Sequence, residues 1–340
     1  MKRVAIVILN WNGREFLRKF LPYVMKYSQD DAEIIIADNA SLDSSIEFLE
    51  QNYPNIRIIH NLTNGGFAKG YNDALSQVES EYYILLNSDI EVTANWIAPV
   101  IQMMDADRRI AACQPKILSY HEPGFFEYAG ATGGFIDKFG YPFCRGRLFQ
   151  TLEEDQGQYD EATEIFWASG ACMFVRAELY HRFGGLDNDF FAHMEEIDFC
   201  WRLKNAGYQI KYCPDSVVYH VGGGTLPKKS SLKTYLNFRN NLILIFKNIP
   251  SEQIFKVFLT RWVFDLVASI KFLLDGGFSD FFAVIHAQFS FLRTVSRQIK
   301  KRRRISQSAV SGIYQRNLVV EYFLRRRRKF TDLDADGFTE

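Results

Sequence analysis

Residues 85–92 read LLNSDIEV: an apolar run meets an Asn, a Ser and an Asp, then gives way to alternating apolar and acidic residues. Together with the preceding Tyr82, Tyr83 and Ile84, the run has the length and unbroken hydrophobicity of a strand in a parallel sheet covered by helices. A carboxylate at the end of such a strand, Asp89, lies at the sheet edge rather than in the core. In open α/β sheets that edge is where ligands gather. A turn residue after the strand, or the cap of a later helix, accounts for Asp89 equally well if it is taken alone.

The text before this stretch repeats the same rhythm. VAIVIL, EIIIAD, IRIIHN and YYILLN read as strands, separated by helical patterns over 15–27, 44–52 and 70–78. Such alternation belongs to a mostly parallel sheet flanked by helices. Polar clusters follow the strands: Asn10 and Asn12, Asp38 to Ser41, Asn61 to Gly66, and Asn87 to Asp89. The apolar N-terminal run is too short for a secretory signal and meets Asn10 without a small-residue cleavage site, so it reads as the first strand. From about 113 to 166 the pattern loosens into Gly- and aromatic-rich text and an acidic stretch over 153–164, which predicts short hairpins and a mobile loop. A strand and a short helix follow over 165–187, then a helix over EEIDFCWRLKNAG and a strand over YQIKYCP.

A chain of 340 residues with 47% hydrophobic and 15% aromatic residues buries a sizeable core and is not disordered. Its five cysteines are scattered, without a Cys-x-x-Cys pair, which predicts reduced structural thiols in a cytosol-facing protein. The zero net charge conceals a division. Residues 228–340 carry 21 Lys and Arg against 9 Asp and Glu, while residues 1–227 carry 19 against 31. An acidic body joined to a basic segment suggests contact with an anionic surface. The segments IFKVFLTRWVFDLVASIKFLL and FSDFFAVIHAQFSFLRTV approach the length of a membrane span, but Lys256, Arg261, Asp265 and Lys271 interrupt the first, and Asp280 and His286 the second. Helices lying in the membrane interface, with KKRRR and RRRRK on the phosphate side, fit that pattern. A helical subdomain with solvated basic runs is the alternative. The runs carry no nucleic-acid recognition motif, so nucleic acid is not expected as a partner.

Three further clusters have chemical potential. HMEEIDFCWR places Glu195, Glu196 and Asp198 at a helix start, where acids favour the helix dipole and Asp198 can pair with Arg202 four residues on. Their apolar neighbours suggest a site wall instead. His220, in VVYHVGGG, follows a strand and precedes glycines that permit close backbone approach; it reads as a ligand, an acid–base group or a structural histidine. NGGFAKGYNDAL opens a helix with a Gly-rich loop, a setting for anion binding, but without the spacing of a P-loop or a dinucleotide fingerprint.

In order, ILNWNG, ADNASLDSS, NGGFAKGYNDAL, LLNSDIEV, ASGACMFVRAEL, FGGLDNDFFAHMEEIDFCWRLKNAGY and YHVGGG resemble the family 2 glycosyltransferases, particularly rhamnosyltransferase-like members, over roughly residues 3–224. The resemblance implies a GT-A fold, a nucleotide-diphosphate sugar donor, a divalent metal (Mn2+ or Mg2+) and inversion at the anomeric carbon. It implies that Asp38 contacts the nucleoside with Asn10, Asn12 and Asn39 nearby, and that Gly66, Lys69 and Asn72 lie along the nucleoside and diphosphate. Asp89 matches the last Asp of the Asp-x-Asp metal motif, Asn87 stands where its first Asp would be, and His220 matches a metal- or diphosphate-binding His. Glu196 stands at the position of the catalytic base, with Glu195 as an alternative and Asp198 as the following acid.

The resulting expectation is a catalytic domain over 1–227, a helical, basic, membrane-associating region over 228–330 and an acidic tail over 331–340. The enzyme would serve a saccharide or lipid-linked acceptor at the cytoplasmic face of the cell membrane, in polysaccharide synthesis. A nucleotidyltransferase and a membrane-associated nucleotide- or sugar-binding module are the rivals.

Overall fold

The computed structural model describes residues 2–222, 230–303 and 310–340. Gly223 and Gly224, the 227/228 boundary and Arg304 of the first basic run lie outside the described residues. Strands β1 (Val4–Asn10), β2 (Ala32–Asp38), β3 (Arg57–His60) and β4 (Tyr82–Asn87) alternate with helices α1 (Arg14–Ser28), α2 (Ser45–Asn52) and α3 (Gly66–Leu75). These four strands are parallel neighbours in the order β4-β1-β2-β3. Both of their faces are covered. Ile6, Ile8, Ile34, Ile36, Ile84 and Leu86 face one core with Leu17, Leu21 and Val24 of α1, while the alternating Ala5, Val7, Ile35, Ala37, Tyr83 and Leu85 face the other with Tyr71 and Ala74 of α3. The period of two in side-chain direction explains why the strands read as continuous apolar runs.

The chain continues through β5 (Ile90–Val92), α4 (Ala98–Ala106) and β6 (Ile110–Ser119) to four short strands, β7 (Gly134–Asp137), β8 (Pro142–Cys144), β9 (Arg147–Leu148) and β10 (Thr151–Leu152). It returns to the main sheet with β11 (Thr163–Ile165) and β12 (Cys172–Arg176), followed by α5 (Ala177–Arg182), α6 (Glu195–Asn205) and β13 (Gln209–His220). β12 inserts antiparallel between β4 and β6. The GT-A-like sheet is therefore mixed, parallel in its first half, rather than mostly parallel throughout.

The short hairpins expected over 113–166 are present, β7, β8, β9 and β10 pairing antiparallel in turn, but the start of the segment and its acidic stretch differ from expectation. β6 is a ten-residue buried strand in the middle of the sheet, and the acidic stretch is tied down rather than mobile. Lys116, almost fully buried, pairs with Asp155 at 2.7 Å and with Asp160; Lys204 pairs with Glu164; and the Tyr159 hydroxyl donates to Glu153 at 2.9 Å. Acids that look like a solvated run in one dimension are counter-ions of buried lysines in three.

The C-terminal region comprises α7 (Ser231–Asn248), α8 (Ile254–Leu274), α9 (Phe278–Arg302) and β14 (Ile313–Tyr314), which joins β7 in the small sheet. The acidic tail packs on that sheet through Phe338, whose ring lies against Phe135 and Tyr314. α7 packs against α6 and α9. α8 has inverted polarity. Arg261, Asp265 and Ser269 are buried, with Arg261 and Asp265 paired at 3.2 Å and Gln288 donating to Asp265, while Phe255, Leu259, Trp262, Val263, Leu266 and Val267 are exposed. Among the described residues no helix is long and apolar enough to cross a membrane.

Candidate active site

The parallel register of β1 and β2 sets Asn10 beside Asp38 at their carboxyl ends. The Asn10 amide donates to the Asp38 carboxylate at 3.3 Å and to Ser41 Oγ at 3.1 Å. Asn39 donates to Asn64 at 2.9 Å and to the Gly66 carbonyl at 3.2 Å, joining the β2 edge to the Gly-rich loop that opens α3. Asn12 instead accepts from the Leu42 and Asp43 amides and shapes the loop after β2. Lys69 is half-exposed and pairs with Asp73. Asn72 accepts from Tyr180 and from the Leu186 amide, and donates to the Leu186 carbonyl and to Asn188 Oδ1, so it holds 186–188.

Asp89 and His220 do meet. β5 pairs antiparallel with β13 so that Ile90 faces His220, and His220 Nε2 lies 3.2 Å from Asp89 Oδ1. On the other ring nitrogen, Nδ1 lies 3.2 Å from Glu127 Oε2. All three side chains are buried. Burial opposes the Asp89 charge, but the His220 imidazolium beside it holds its carboxyl below the usual range. Burial likewise opposes the His220 charge, and Glu127 and then Asp89 outweigh it, pushing the imidazole up to about 10. Glu127 gave no sequence signal beyond an acid in the aromatic run FFEYAG. It is fixed by accepting from the Ala129 amide at 2.5 Å.

Among the described residues no set of three or more His, Cys, Asp or Glu has metal-ligand geometry. As it stands His220 is an imidazolium between Asp89 and Glu127; a cation entering beside Asp89 would displace the Nε2 proton, leaving one carboxylate and one imidazole as donors, with Glu127 facing the other ring nitrogen. That arrangement suits a hard divalent cation that takes its remaining ligands from substrate phosphates and water. Asn87, half-buried at the end of β4, adds no charge to it.

The acidic cluster lies at the start of α6, entered through a turn in which Phe191, His193 and Met194 all have positive φ, of 64°, 70° and 76°. Left-handed backbone costs such residues about 1–2 kcal/mol each, so the turn is held from outside. Glu195 is buried, Glu196 is half-buried, and each has a carboxylate oxygen without a hydrogen-bond partner. Burial pushes Glu196 up to about 7. Burial and the neighbouring Glu196 charge together raise Glu195 well above the carboxylate range. The two acids thus divide into a protonated inner carboxyl and an outer one that ionises near neutrality. Asp198 is different. It is fully buried and saturated, accepting from Arg202 Nε, Lys247 Nζ and Asn248 Nδ2, each at 2.9 Å. Burial opposes its charge, but Lys247 and Arg202 keep it ionised and low. Expected alongside the base, Asp198 instead pins α6 to α7.

The turn at 169–171 brings the groups together. The Asn87 amide donates to the Ala171 carbonyl at 2.9 Å. Gly170, whose open side faces the Phe67 ring and the Glu196 Cβ at about 3.0 and 3.8 Å from a would-be Cβ, lets α6 approach the Gly-rich loop that opens α3.

The model of glycosyl transferase family 2 matches residues 5–184. The chain belongs to that family. This glycosyltransferase is 24% identical over 235 residues to N-acetylglucosaminyl-diphospho-decaprenol L-rhamnosyltransferase of Mycobacterium tuberculosis, covering 64% of this chain and 75% of the relative. Over 220 residues it is 23% identical to rhamnosyltransferase WbbL of Escherichia coli, covering 62% and 80%. Its fold is similar to that of S. aureus TarS 1-349 in complex with UDP-GlcNAc, with a TM-score of 0.56, 16% identity and coverage of 88% and 84%. A second similar structure is GalNAc-T7 with UDP, GalNAc and Mn2+, with a TM-score of 0.57, 17% identity and coverage of 74% and 49%. The enzyme is a nucleotide-sugar-dependent glycosyltransferase.

Proposed function

We propose that the enzyme is an inverting transferase that moves a sugar from a nucleotide-diphosphate donor to a hydroxyl of a lipid-linked saccharide. The observation that supports this reading is that the turn at 169–171 links the end of β4, just before the Asp89–His220 pair, to Glu196: the Asn87 amide donates to the Ala171 carbonyl, and Gly170 lies against Glu196. An acceptor hydroxyl attacks the anomeric carbon, its proton passes to the Glu196 carboxylate, and the bond to the diphosphate oxygen breaks to release the nucleoside diphosphate. Of the two glutamates, Glu196 is the base because it is the more accessible and the more readily ionised. Asp38, with Asn10 and Asn39, receives the nucleoside, and the α3 N-terminus lies along the donor. Asp89 and His220 would hold Mn2+ or Mg2+, which when bound neutralises charge on the leaving diphosphate. A polyprenyl-diphosphate saccharide as acceptor is suggested by the name of the mycobacterial relative.

The enzyme docks on the cytoplasmic face of the membrane through α8 and α9. Support comes from the inverted α8, whose polar residues face the protein, and from Phe278, Phe282, Phe289 and Leu292, which continue the exposed apolar surface on α9. The basic runs contribute less surface charge than their composition suggests. Lys301 bonds to Asp187 and Asp189, Arg325 and Arg327 pair with Glu321, and Arg328 stacks over Tyr322.

Product analysis tests the reaction. Incubation with nucleotide-diphosphate sugars, Mn2+ and a polyprenyl-diphosphate saccharide should release nucleoside diphosphate and leave a glycosidic bond of inverted anomeric configuration. Retention of configuration overturns the one-base mechanism, and pyrophosphate release from a nucleoside triphosphate overturns the reading as a whole. Flotation with anionic vesicles should fail for the double variant Trp262→Ser, Leu266→Ser; undiminished flotation removes α8 as the docking face.

A further inference from the structure

We propose that Asn240, on α7, is the positioning residue for the catalytic base, an inference that rests on Glu196 being that base. The C-terminal helical region is thereby part of the active-site architecture and not only an attachment. Asn240 is fully buried, and its amide nitrogen donates to three carbonyls of one turn: Phe190 at 2.9 Å, Ala192 at 2.8 Å and His193 at 2.8 Å. An amide has two hydrogens, so three converging acceptors share them. The amide cannot rotate out of this arrangement without loss, because its oxygen accepts from Arg239 Nε at 2.9 Å and Nη2 at 2.7 Å. Arg239 Nη2 also donates to the Asp189 and Phe190 carbonyls, at 2.9 and 3.1 Å.

The turn so held is the one with left-handed Phe191, His193 and Met194, and Glu195 and Glu196 follow it directly. Backbone in a sparsely populated conformation persists when its surroundings over-determine it. The other side of the turn reaches the donor loop. The Phe191 carbonyl accepts from the Phe67 amide at 2.6 Å and the Ala68 amide at 3.3 Å, at the start of α3. Gly66, at φ 78°, lies so close beneath that a Cβ would overlap the Phe191 carbonyl oxygen. One side chain from α7 therefore fixes a turn that sets the direction of the base and its register against the donor-side helix. Helix packing does not require an asparagine here, since Leu236, Leu242, Ile243 and Ile245 already bury α7. What the asparagine adds is a pair of N–H groups aimed at strained carbonyls.

The experiment compares Asn240→Asp, Asn240→Ala and Arg239→Lys with the wild type in kcat, donor KM and the pH dependence of kcat. Leu236→Ala serves as a control for loss of packing in the same helix. Asn240→Asp has the same shape but turns an oxygen towards the three carbonyls. Since a misplacement of about 1 Å can cost on the order of 100-fold in rate, both Asn240 variants should lose about that factor in kcat, with donor KM changed by less than about threefold. The acidic limb of the pH profile should move away from its wild-type position. Arg239→Lys keeps the charge, leaves Asn240 in place and loses the paired contacts to its amide. It should lose roughly tenfold in kcat by the same reasoning, and it keeps the test open if the Asn240 variants do not fold. Wild-type kcat and pH profile in Arg239→Lys and in folded Asn240 variants overturn the inference, as does an equal kcat loss in Leu236→Ala at matched thermal stability. Glu196→Gln measured alongside separates the two ideas. An active Glu196→Gln enzyme refutes the base assignment, whereas an inactive one beside wild-type-like Asn240 and Arg239 variants refutes the positioning role alone.

Discussion

Replacing Glu196 by Gln should abolish turnover while making the protein more stable above neutral pH. Folding moves the Glu196 carboxyl from an ordinary value of 4.5 to about 7, chiefly by burial. A carboxyl whose pKa is raised binds its proton more tightly in the folded chain. The stability it contributes is therefore complete below about 4.5 and is lost as pH rises through about 7. At about 1.4 kcal/mol per unit, the loss is at most about 3.5 kcal/mol, and it is smaller for a half-buried group that water partly reaches. Glutamine has nearly the same shape and carries no charge at any pH. Its substitution also removes the negative charge that raises Glu195. Thermal unfolding followed by circular dichroism should give nearly equal Tm values for variant and wild type at about pH 5, where Glu196 is protonated. At about pH 8 the variant should unfold several degrees higher. A Tm difference that is the same at both pH values refutes the desolvation argument; turnover at the wild-type rate refutes the base. The combination of lost activity and gained stability is the expected mark of a catalytic base held desolvated in the folded enzyme.

In the wild type, kcat should fall about tenfold per pH unit below about 7, the limb on which Glu196 is protonated, and a flat profile down to about pH 5 contradicts its role. Glu127→Gln should weaken Mn2+-dependent thermal stabilisation by nucleoside diphosphate by roughly 10- to 100-fold in metal concentration, as loss of a carboxylate behind a metal-binding His does; an unchanged metal titration removes Glu127 from the site. Gly66→Ala forces a Cβ onto the Phe191 carbonyl and a positive φ onto alanine, and should cost at least about 2 kcal/mol together with most activity; a Tm unchanged from wild type shows that the turn yields. Asp198→Asn leaves buried Lys247 and Arg202 short of a counter-charge and should cost about 3 kcal/mol in denaturant unfolding, whereas a neutral result assigns the anchoring of α6 to packing alone.

The sequence by itself determined the strands and the residues at their ends. Runs such as VAIVIL and YYILLN are apolar at every position because both faces of a parallel sheet are covered, and that property is local. Asp38, Asp89 and His220 could be read as edge residues for the same reason, since a polar residue ending an apolar run has only the sheet edge to occupy. The acidic cluster was legible as a helix start, but the separate fates of its members were not. Glu195, Glu196 and Asp198 differ through Lys247 and Asn248, which lie some fifty residues further along the chain. Glu127 entered the site only because β5, β13 and the loop after β6 meet around His220. α8 shows most directly what tertiary structure decided. Its charges looked like interruptions of an apolar helix; packing against α9 and Tyr141 turned Arg261 and Asp265 inward and left the apolar residues outside. Periodicity records which residues share a face. Which face is covered, and by what, depends on partners distant in sequence, and that dependence placed Asn240 beneath the turn that leads into Glu195 and Glu196.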